Sequence, residues 1–384
     1  MVRRAPAYNQ FFRCIGGSCP DTCCRDWSIV PDEAALADYQ TAPEPLRSAL
    51  AAALTADDDG DVCFRLRPDG FCTLLTEDGL CPIQRDWGAE HLCAHCAAYP
   101  RFTEEYGPLA ETALAVSCPE AARLLLECGS FTLTETDDGK ADPPLQGVDG
   151  ELLAQLDRSR DGELLAQLDR SRAAALALLT DHTWPLWARL AQVVSYAGEL
   201  QDAIDFEDYP AMAGCAPEPP EFVPGGNRRL FTARLMAGCA ELEPLRPSWT
   251  AELAAGSEAL LAMKKDYPAA CAAFEAACPQ WEGWLENFAC YLVFRHWHKT
   301  VNDDGLYGRA ALAGAACLLV YHLWLLRRRE KGVLFPADAA AVLSAFSREI
   351  EHLDENLTDL IEAMFDDQTW PILSALTDGM EEFL

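Results

Sequence analysis

The sequence predicts a mainly α-helical protein: an irregular cysteine-rich metal-binding module at residues 1–129, a linker at 130–150, and a larger all-helical domain at 151–384. Three observations carry this reading. Eleven of the 17 cysteines lie at or before Cys128, and six are spread singly over the rest of the chain. From residue 173 onward almost every segment places apolar residues at helical spacing. No glycine-rich phosphate cradle follows a strand, so neither a dinucleotide fold nor a P-loop is indicated. A length of 384 residues, half of them hydrophobic, suffices for two domains with a sizeable core.

Composition narrows the functional classes. Thirty basic residues against 61 acidic ones give a net charge of -31, the wrong sign for gripping a nucleic-acid backbone. Such a field serves solubility or draws lysine-bearing partners. Arg3 and Arg4 are followed by AYNQFF and Cys14 instead of the apolar stretch of a signal peptide, so a cytoplasmic location is expected. In a reducing compartment, an odd number of cysteines at short spacings reads as metal ligands and not as a disulfide framework. The longest apolar run, Ala310–Leu326, falls short of the roughly 20 residues that span a bilayer and carries His322. It reads as a buried core helix, with no membrane partner.

Along the chain, residues 1–31 read as irregular. Asp32 offers an N-cap for an alanine-rich helix running to about Leu54. The DDDGD and RPDG turns between Ala56 and Gly79 flank short segments such as VCFRL, which fit a small hairpin or loops. A short helix from Gln84 is expected to carry Trp87, Leu92 and the following cysteines, ending before Pro100. Ser117 and Glu120 match a capping box opening the helix AARLLLE, which closes the module near Gly129. Ser130–Asp149, rich in Thr, Asp, Gly and Pro, is the linker. Directly after it, DGELLAQLDRSR occurs twice without change, at 149–160 and 161–172. Twelve residues make about 3.3 turns, so a continuous helix rotates the second copy by about 120° from the first, and Gly162 reads as a break. Helices are then expected at 183–204, 228–242, 248–263, 268–278, 281–299, 308–330, 336–351 and 354–365, with CAPEPPEFVPGG at 215–226 as a loop.

The first cysteine cluster, CIGGSCPDTCC, places Cys14, Cys19, Cys23 and Cys24 at C-x4-C-x3-C-C spacing. A second runs from Cys72 through Cys81 to Cys93 and Cys96, and Cys118 sits on the capping turn. Thiolates drawn from several loops with Gly and Pro between them suit an iron-sulfur cage. Structural zinc usually shows two C-x2-C knuckles, and only Cys93–Cys96 qualifies, so zinc is the alternative. Neighbouring Cys23 and Cys24 point different ways, so one of them serves the metal centre and the other packing. Arg13, Arg25 and Arg101 flank these cysteines and would stabilise an anionic cluster. His91 and His95, four apart on one predicted helix face, read as hydrogen-bonding or exposed groups. His296 and His298 face different directions and share no ligand site. The later cysteines, Cys271 and Cys278 included, read as small apolar core residues.

The strings CIGGSCPDTCCRDW, CTLLTEDGLCPIQRDWGAEHLCAHCAAYPR and SCPEAARLLL, with the later ENFACYLVFRHWHKT, resemble the flagellin lysine N-methylase family. Its amino-terminal part is itself similar to small CxxCC-type zinc- or iron-chelating domains. The resemblance covers the first 128 residues well and the rest loosely. It implies transfer of a methyl group from S-adenosylmethionine to lysine side chains of flagellin or another lysine-bearing protein, with a bound [4Fe-4S] cluster. Cys14, Cys19, Cys23, Cys24, Cys72, Cys81, Cys96 and Cys118 fall on motif positions, whereas Cys63 and Cys93 do not clearly do so. Eight is more than one cluster requires. The C-x3-C-x2-C of radical S-adenosylmethionine enzymes is missing, since Asp26 holds the third position after Cys19 and Cys23.

A lysine attacks a methyl sulfonium only once neutral, so the site must desolvate it or supply a base. Acidic side chains would recruit it, and Trp or Tyr faces would hold the methylammonium product. The expected site lies where the cysteine module meets the helical domain, with Tyr99 and Arg101 as contributors. Two other readings stand beside this one: a non-enzymatic zinc- or iron-binding protein with a helical interaction domain, and an iron-sulfur electron-transfer or redox-sensing protein.

Overall fold

The computed structural model describes residues 1–57, 60–137, 158–366 and 368–381. Its strands are β1 (Val2–Pro6), β2 (Leu54–Ala56), β3 (Val62–Phe64), β4 (Arg101–Tyr106), β5 (Leu109–Leu114) and β6 (Leu133–Asp137). Four of them form one mixed sheet in the order β4-β5-β1-β6. β1 runs parallel to β5, with Val2 opposite Leu109, and antiparallel to β6, with Pro6 opposite Leu133. This corrects the irregular reading of residues 1–31. Five residues with Pro at the end carry almost no local strand signal, and both partners lie more than a hundred residues away. The β4–β5 hairpin turns through Gly107 at φ +58, the left-handed position that a two-residue hairpin loop requires. β2 and β3 form the small hairpin expected around DDDGD.

Helices α1 (Glu33–Tyr39) and α2 (Leu46–Ala53) replace the single helix expected from Asp32 to Leu54. Asp32 does cap the first, its Oδ1 accepting the Ala35 N–H at 3.0 Å. Pro43 and Pro45 then forbid continuation, because each lacks an N–H and pushes its predecessor out of helical geometry. The helix expected from Gln84 is likewise three short turns, Ile83–Trp87, Ala89–His91 and α3 (Ala94–Ala98), broken at Gly88 with φ +132. The break puts His91 and His95 on different elements. His91 Nδ1 meets Asp38 at 2.7 Å and its ring stacks on Trp87, with centroids 3.8 Å apart. α4 (Pro119–Glu127) has Cys118 as its N-cap with no side-chain bond. The capping box is not made: Glu120 pairs with Arg123, and Ser117 Oγ is taken by Tyr99 and His352.

The helical part comprises α5 (Arg158–Thr180), α6 (Leu186–Asp205), α7 (Tyr209–Met212), α8 (Arg228–Cys239), α9 (Pro247–Met263), α10 (Tyr267–Ala277), α11 (Trp281–His296), α12 (Leu306–Lys331), α13 (Pro336–Phe346), α14 (Asp354–Ala363) and α15 (Ile372–Leu376). α5 runs straight through Gly162, which corrects the expected break; most of the first dodecapeptide copy lies outside the described residues. α12 is apolar all round and buried from Leu306 to Leu325, as a central core helix must be. It is the one helix among the described residues long and apolar enough to cross a membrane, and 94% of that stretch is buried inside the protein.

Packing divides the chain elsewhere than at residue 129. A small core joins Tyr39, Leu50, Phe64, Ile83 and Cys93. Tyr8, Phe12, Leu114, Val116 and Leu125 instead belong to the same core as the helices. Sheet and α4 are thus part of the helical body, and β6 occupies ground read as linker, whose residues 138–150 lie outside the described ones.

Candidate active site and thiol cluster

The loop Cys14–Cys24 is shaped by its two glycines. Gly16 stands at φ +55, and a Cβ on Gly17 would lie 2.7 Å from the Asp78 carbonyl oxygen. Only glycine lets this loop press on the Asp78–Gly79 turn that leads into Cys81. A second close approach follows: the Cys72 N–H donates to the Cys24 carbonyl at 2.9 Å, beside a bridge between Arg25 and Phe71. Segments 61 and 48 residues apart in sequence therefore present their sulfurs to common spaces.

Those spaces are two cavities. The smaller, about 80 Å³, is lined by Cys14, Cys19, Cys23, Cys24, Cys81 and Cys118, with Arg348 and Tyr99. The larger, about 460 Å³, has Cys23, Cys24, Cys72, Cys81 and Cys96 on the module side. Its other wall comes from the sheet and late helices: Phe102, Glu104, Arg295, His296, Lys299, Glu351, His352 and Asp354. All eight motif cysteines reach one cavity or the other. Among the described residues no cysteine is disulfide-bonded. Burial holds the Cys72 and Cys118 thiols up at about 11, so a metal taking them as thiolates must displace their protons.

The donor set fits an anionic metal-thiolate group, because a buried cation faces it. Arg348 is 2% exposed and lines the smaller cavity. Its Nε donates to the Ser117 carbonyl, and its Nη1 makes no hydrogen bond but lies 3.5 Å from the Asp21 carboxylate. The three arginines singled out in the sequence are placed differently. Arg13 bonds the carbonyls of Gln10 and Phe12, Arg25 and Arg67 stack on Phe71, and Arg101 stacks on Phe12 at 5.1 Å. None of Arg13, Arg25 and Arg101 lines either cavity, so of the two expected contributors Tyr99 is in place and Arg101 is not.

Tyr99 stands in the wall of both cavities. Its hydroxyl lies 3.0 Å from Ser117 Oγ, which lies 2.7 Å from His352 Nε2. Burial raises the Tyr99 hydroxyl far above its ordinary value, so it stays protonated. Burial, with Arg295 nearby, lowers His352 to about 4, leaving a neutral imidazole at pH 7. Trp27, Phe102 and Tyr99 surround that imidazole at centroid distances of 5.2, 5.4 and 6.4 Å. Beneath them, burial opposes ionisation of Glu351, but Arg295 and His296 hold its carboxyl down at about 2. Lys299 pairs with Glu104 at 3.0 Å, and Asp354 is exposed at the start of α14.

His296 and His298 are separated as expected: His296 meets Glu351 at 2.9 Å, and His298 meets Glu111 at 3.2 Å. Glu111, Asp169 and His298 converge closely enough to suggest a metal site. Arg172 and Arg4 already pair with both carboxylates, so the convergence is a buried ion network. Neither His352 nor Arg348 was singled out by sequence reasoning. Arg348 lies in the last turn of the expected 336–351 helix and His352 directly after it, in a stretch with no motif, more than 200 residues from the cysteines they approach.

Residues 227–377 match the family model described as the FliB lysine N-methylase C-terminal domain, and this segment supplies Arg295, Lys299, Arg348 and His352. Over that segment the chain is similar to the FliB lysine N-methylase C-terminal domain family. Among similar curated proteins, the flagellar biosynthetic protein FliU of Salmonella muenchen is 29% identical over 142 residues, covering 34% of this chain and 80% of that protein. A lysine-N-methylase of Salmonella choleraesuis (strain SC-B67) is 29% identical over 142 residues, and one of Salmonella typhimurium (strain LT2) is 29% identical over 136. Each of these alignments covers 34% of either chain, so this chain spans about a third of the length of the lysine-N-methylases it matches. No solved structure matches.

Proposed function

We propose that the chain methylates lysine side chains of a protein, flagellin in the first instance, with S-adenosylmethionine as methyl donor, in the larger cavity. One juxtaposition carries the reading: a neutral imidazole ringed by three aromatic side chains, with carboxylates in the same wall, built partly from the segment that matches the lysine N-methylase domain.

The chemistry follows from those groups. Glu104 and Asp354 attract an incoming lysine ammonium. Loss of water on entry lowers the lysine pKa from about 10.4 toward that of its acceptor. With its Nε2–H donating to Ser117 Oγ, His352 keeps a lone pair on Nδ1 to take the proton. The freed lysine nitrogen attacks the sulfonium methyl: the N–C bond forms as the C–S bond breaks, and S-adenosylhomocysteine leaves. Trp27, Tyr99 and Phe102 then hold the methylammonium through their ring faces. An iron-sulfur cluster on the thiols would supply electron-transfer capacity beside the cavity, and zinc would supply only a rigid scaffold.

Anaerobically purified protein incubated with flagellin and methyl-labelled S-adenosylmethionine should yield methyl-lysine. His352→Gln should lower kcat by about 10²-fold or more with little change in KM. Absence of methyl-lysine from iron-loaded protein overturns the reading.

A further inference from the structure

The eight motif cysteines exceed what one cluster needs, and the structure sorts them. Cys14, Cys19 and Cys118 line only the smaller cavity, whereas Cys72 and Cys96 line only the larger. Cysteine–cysteine interactions follow the same boundary except between Cys23 and Cys24, which hydrogen-bond to each other across it. Cys118 interacts with Cys14 and Cys19, and Cys23 with Cys14 and Cys118. On the other side Cys72 interacts with Cys24 and Cys81, and Cys96 with Cys24 and Cys81. Cys23, Cys24 and Cys81 line both cavities, and Cys23 and Cys24 are told apart by their other cysteine partners.

We propose that this chain holds two separate iron-sulfur centres, one on Cys14, Cys19, Cys23 and Cys118 and the other on Cys24, Cys72, Cys81 and Cys96. Four thiolates per centre is the complement a [4Fe-4S] cage takes. Sulfur spacing favours cages over single ions. Around tetrahedral zinc, with Zn–S bonds of about 2.3 Å, thiolates sit about 3.8 Å apart. Among the described residues no three cysteine sulfurs lie within 4.8 Å of one another. The wall of the first centre also carries the buried Arg348, whose Nη1 lies 3.5 Å from Asp21 Oδ2 in the same wall. Cys93, held by Cys96 and Tyr39, lies in the small core and is left over.

The proposal shares with the functional reading only the metal-bound state of the module, and its test needs neither substrate nor methyl donor. Iron and acid-labile sulfide are measured on the full chain after anaerobic reconstitution, with electron paramagnetic resonance of the reduced protein. The expected content is about eight iron per chain, with signals broadened by a second spin nearby. Cys19→Ser with Cys118→Ser, and Cys72→Ser with Cys96→Ser, should each remove about half of the iron; Cys93→Ser should remove none. Four iron with a single unbroadened signal in the unaltered protein, loss of all iron in either double variant, or zinc at either set overturns it. Because the unaltered protein decides the first outcome, a variant that fails to fold does not shield the proposal. Full iron without methyl-lysine would count against methylation alone.

Discussion

The Nε of Arg348 donates to the carbonyl of Ser117 at 3.0 Å, so a side chain from the late helical region closes the turn that carries Cys118. Its Nη2 reaches the carbonyls of Asp21 and Thr22 at 3.0 and 3.2 Å, inside the first cysteine loop. One guanidinium thus fastens two thiol-bearing segments to the helical body. Arg348→Met keeps the length and removes every donor. It is expected to cost about 3 kcal/mol or more in urea denaturation and to reduce bound iron. Arg348→Lys should recover part of the iron, since the charge returns without the fork. Unchanged stability and iron in the Met variant would rule out the tether.

Gly17→Ala should be disproportionately harmful for one methyl group. Its Cβ meets backbone, not a movable side chain, so the Cys14–Cys24 loop must lift from the Asp78–Gly79 turn. A loss of about 1–3 kcal/mol together with lower iron content is expected. Gly162→Ala has the opposite sign. That glycine is exposed within α5 with nothing near its would-be Cβ, so alanine should stabilise by about 0.5–1 kcal/mol. Thermal melts of the two variants, moving in opposite directions, check both.

Glu111→Gln tests whether the convergence with Asp169 and His298 is a metal site. Arg172, 1% exposed, bonds Glu111 at 2.6 Å, and removing the carboxylate charge leaves that cation only the longer 3.4 Å pair with Asp169. The expected cost is about 3–5 kcal/mol with metal content unchanged. A drop in bound divalent metal would contradict the ion-network reading.

Stability should fall with acid well before the carboxylates titrate. His322 is buried on α12, its Nδ1–H donating to the Leu318 carbonyl at 2.7 Å and its Nε2 accepting from the Tyr267 hydroxyl at 2.8 Å. Burial lowers it to about 3, below the roughly 6.5 of the unfolded chain. The unfolded state therefore takes up the proton first. This contribution is complete above about pH 6.5 and is lost as pH falls toward 3, on the order of a few kcal/mol. His352, lowered to about 4, acts in the same direction. Urea midpoints at pH 7, 5.5 and 4 should decline, and less so in His322→Phe. A flat profile in the unaltered chain would refute the assignment.

The late helices were legible because each carries its own 3.6-residue pattern, and their observed ends fall within a few residues of the expected ones. The hairpin and the Asp32 cap were legible for the same local reason. The interruption between α1 and α2 was also written in Pro43 and Pro45, a signal that the alanine-rich pattern outweighed. By contrast, β1 depends on partners supplied by β5 and β6, and Ser117 left its capping role for Tyr99 and His352. The site divided likewise. Cysteine spacing announced the thiols, while Tyr99 was named only through the expectation of a site where the module meets the helical domain. Arg348 and His352 are ordinary helix-end residues until the fold carries them to the cavities.

The unbroken course of α5 raises a question of threading. Both copies of the dodecapeptide carry the same leucines and arginine, so copying alone would let either one fill the berth of Leu164, Leu168 and Arg172. A twelve-residue slip would, however, carry Glu163 into the sealed position of Ala175 and Gln167 into that of Leu179. Burying those polar groups unpaired is prohibitive. The helix is therefore clocked by the short apolar stretch that follows the duplicated text, and a chain with one copy excised would keep the same threading.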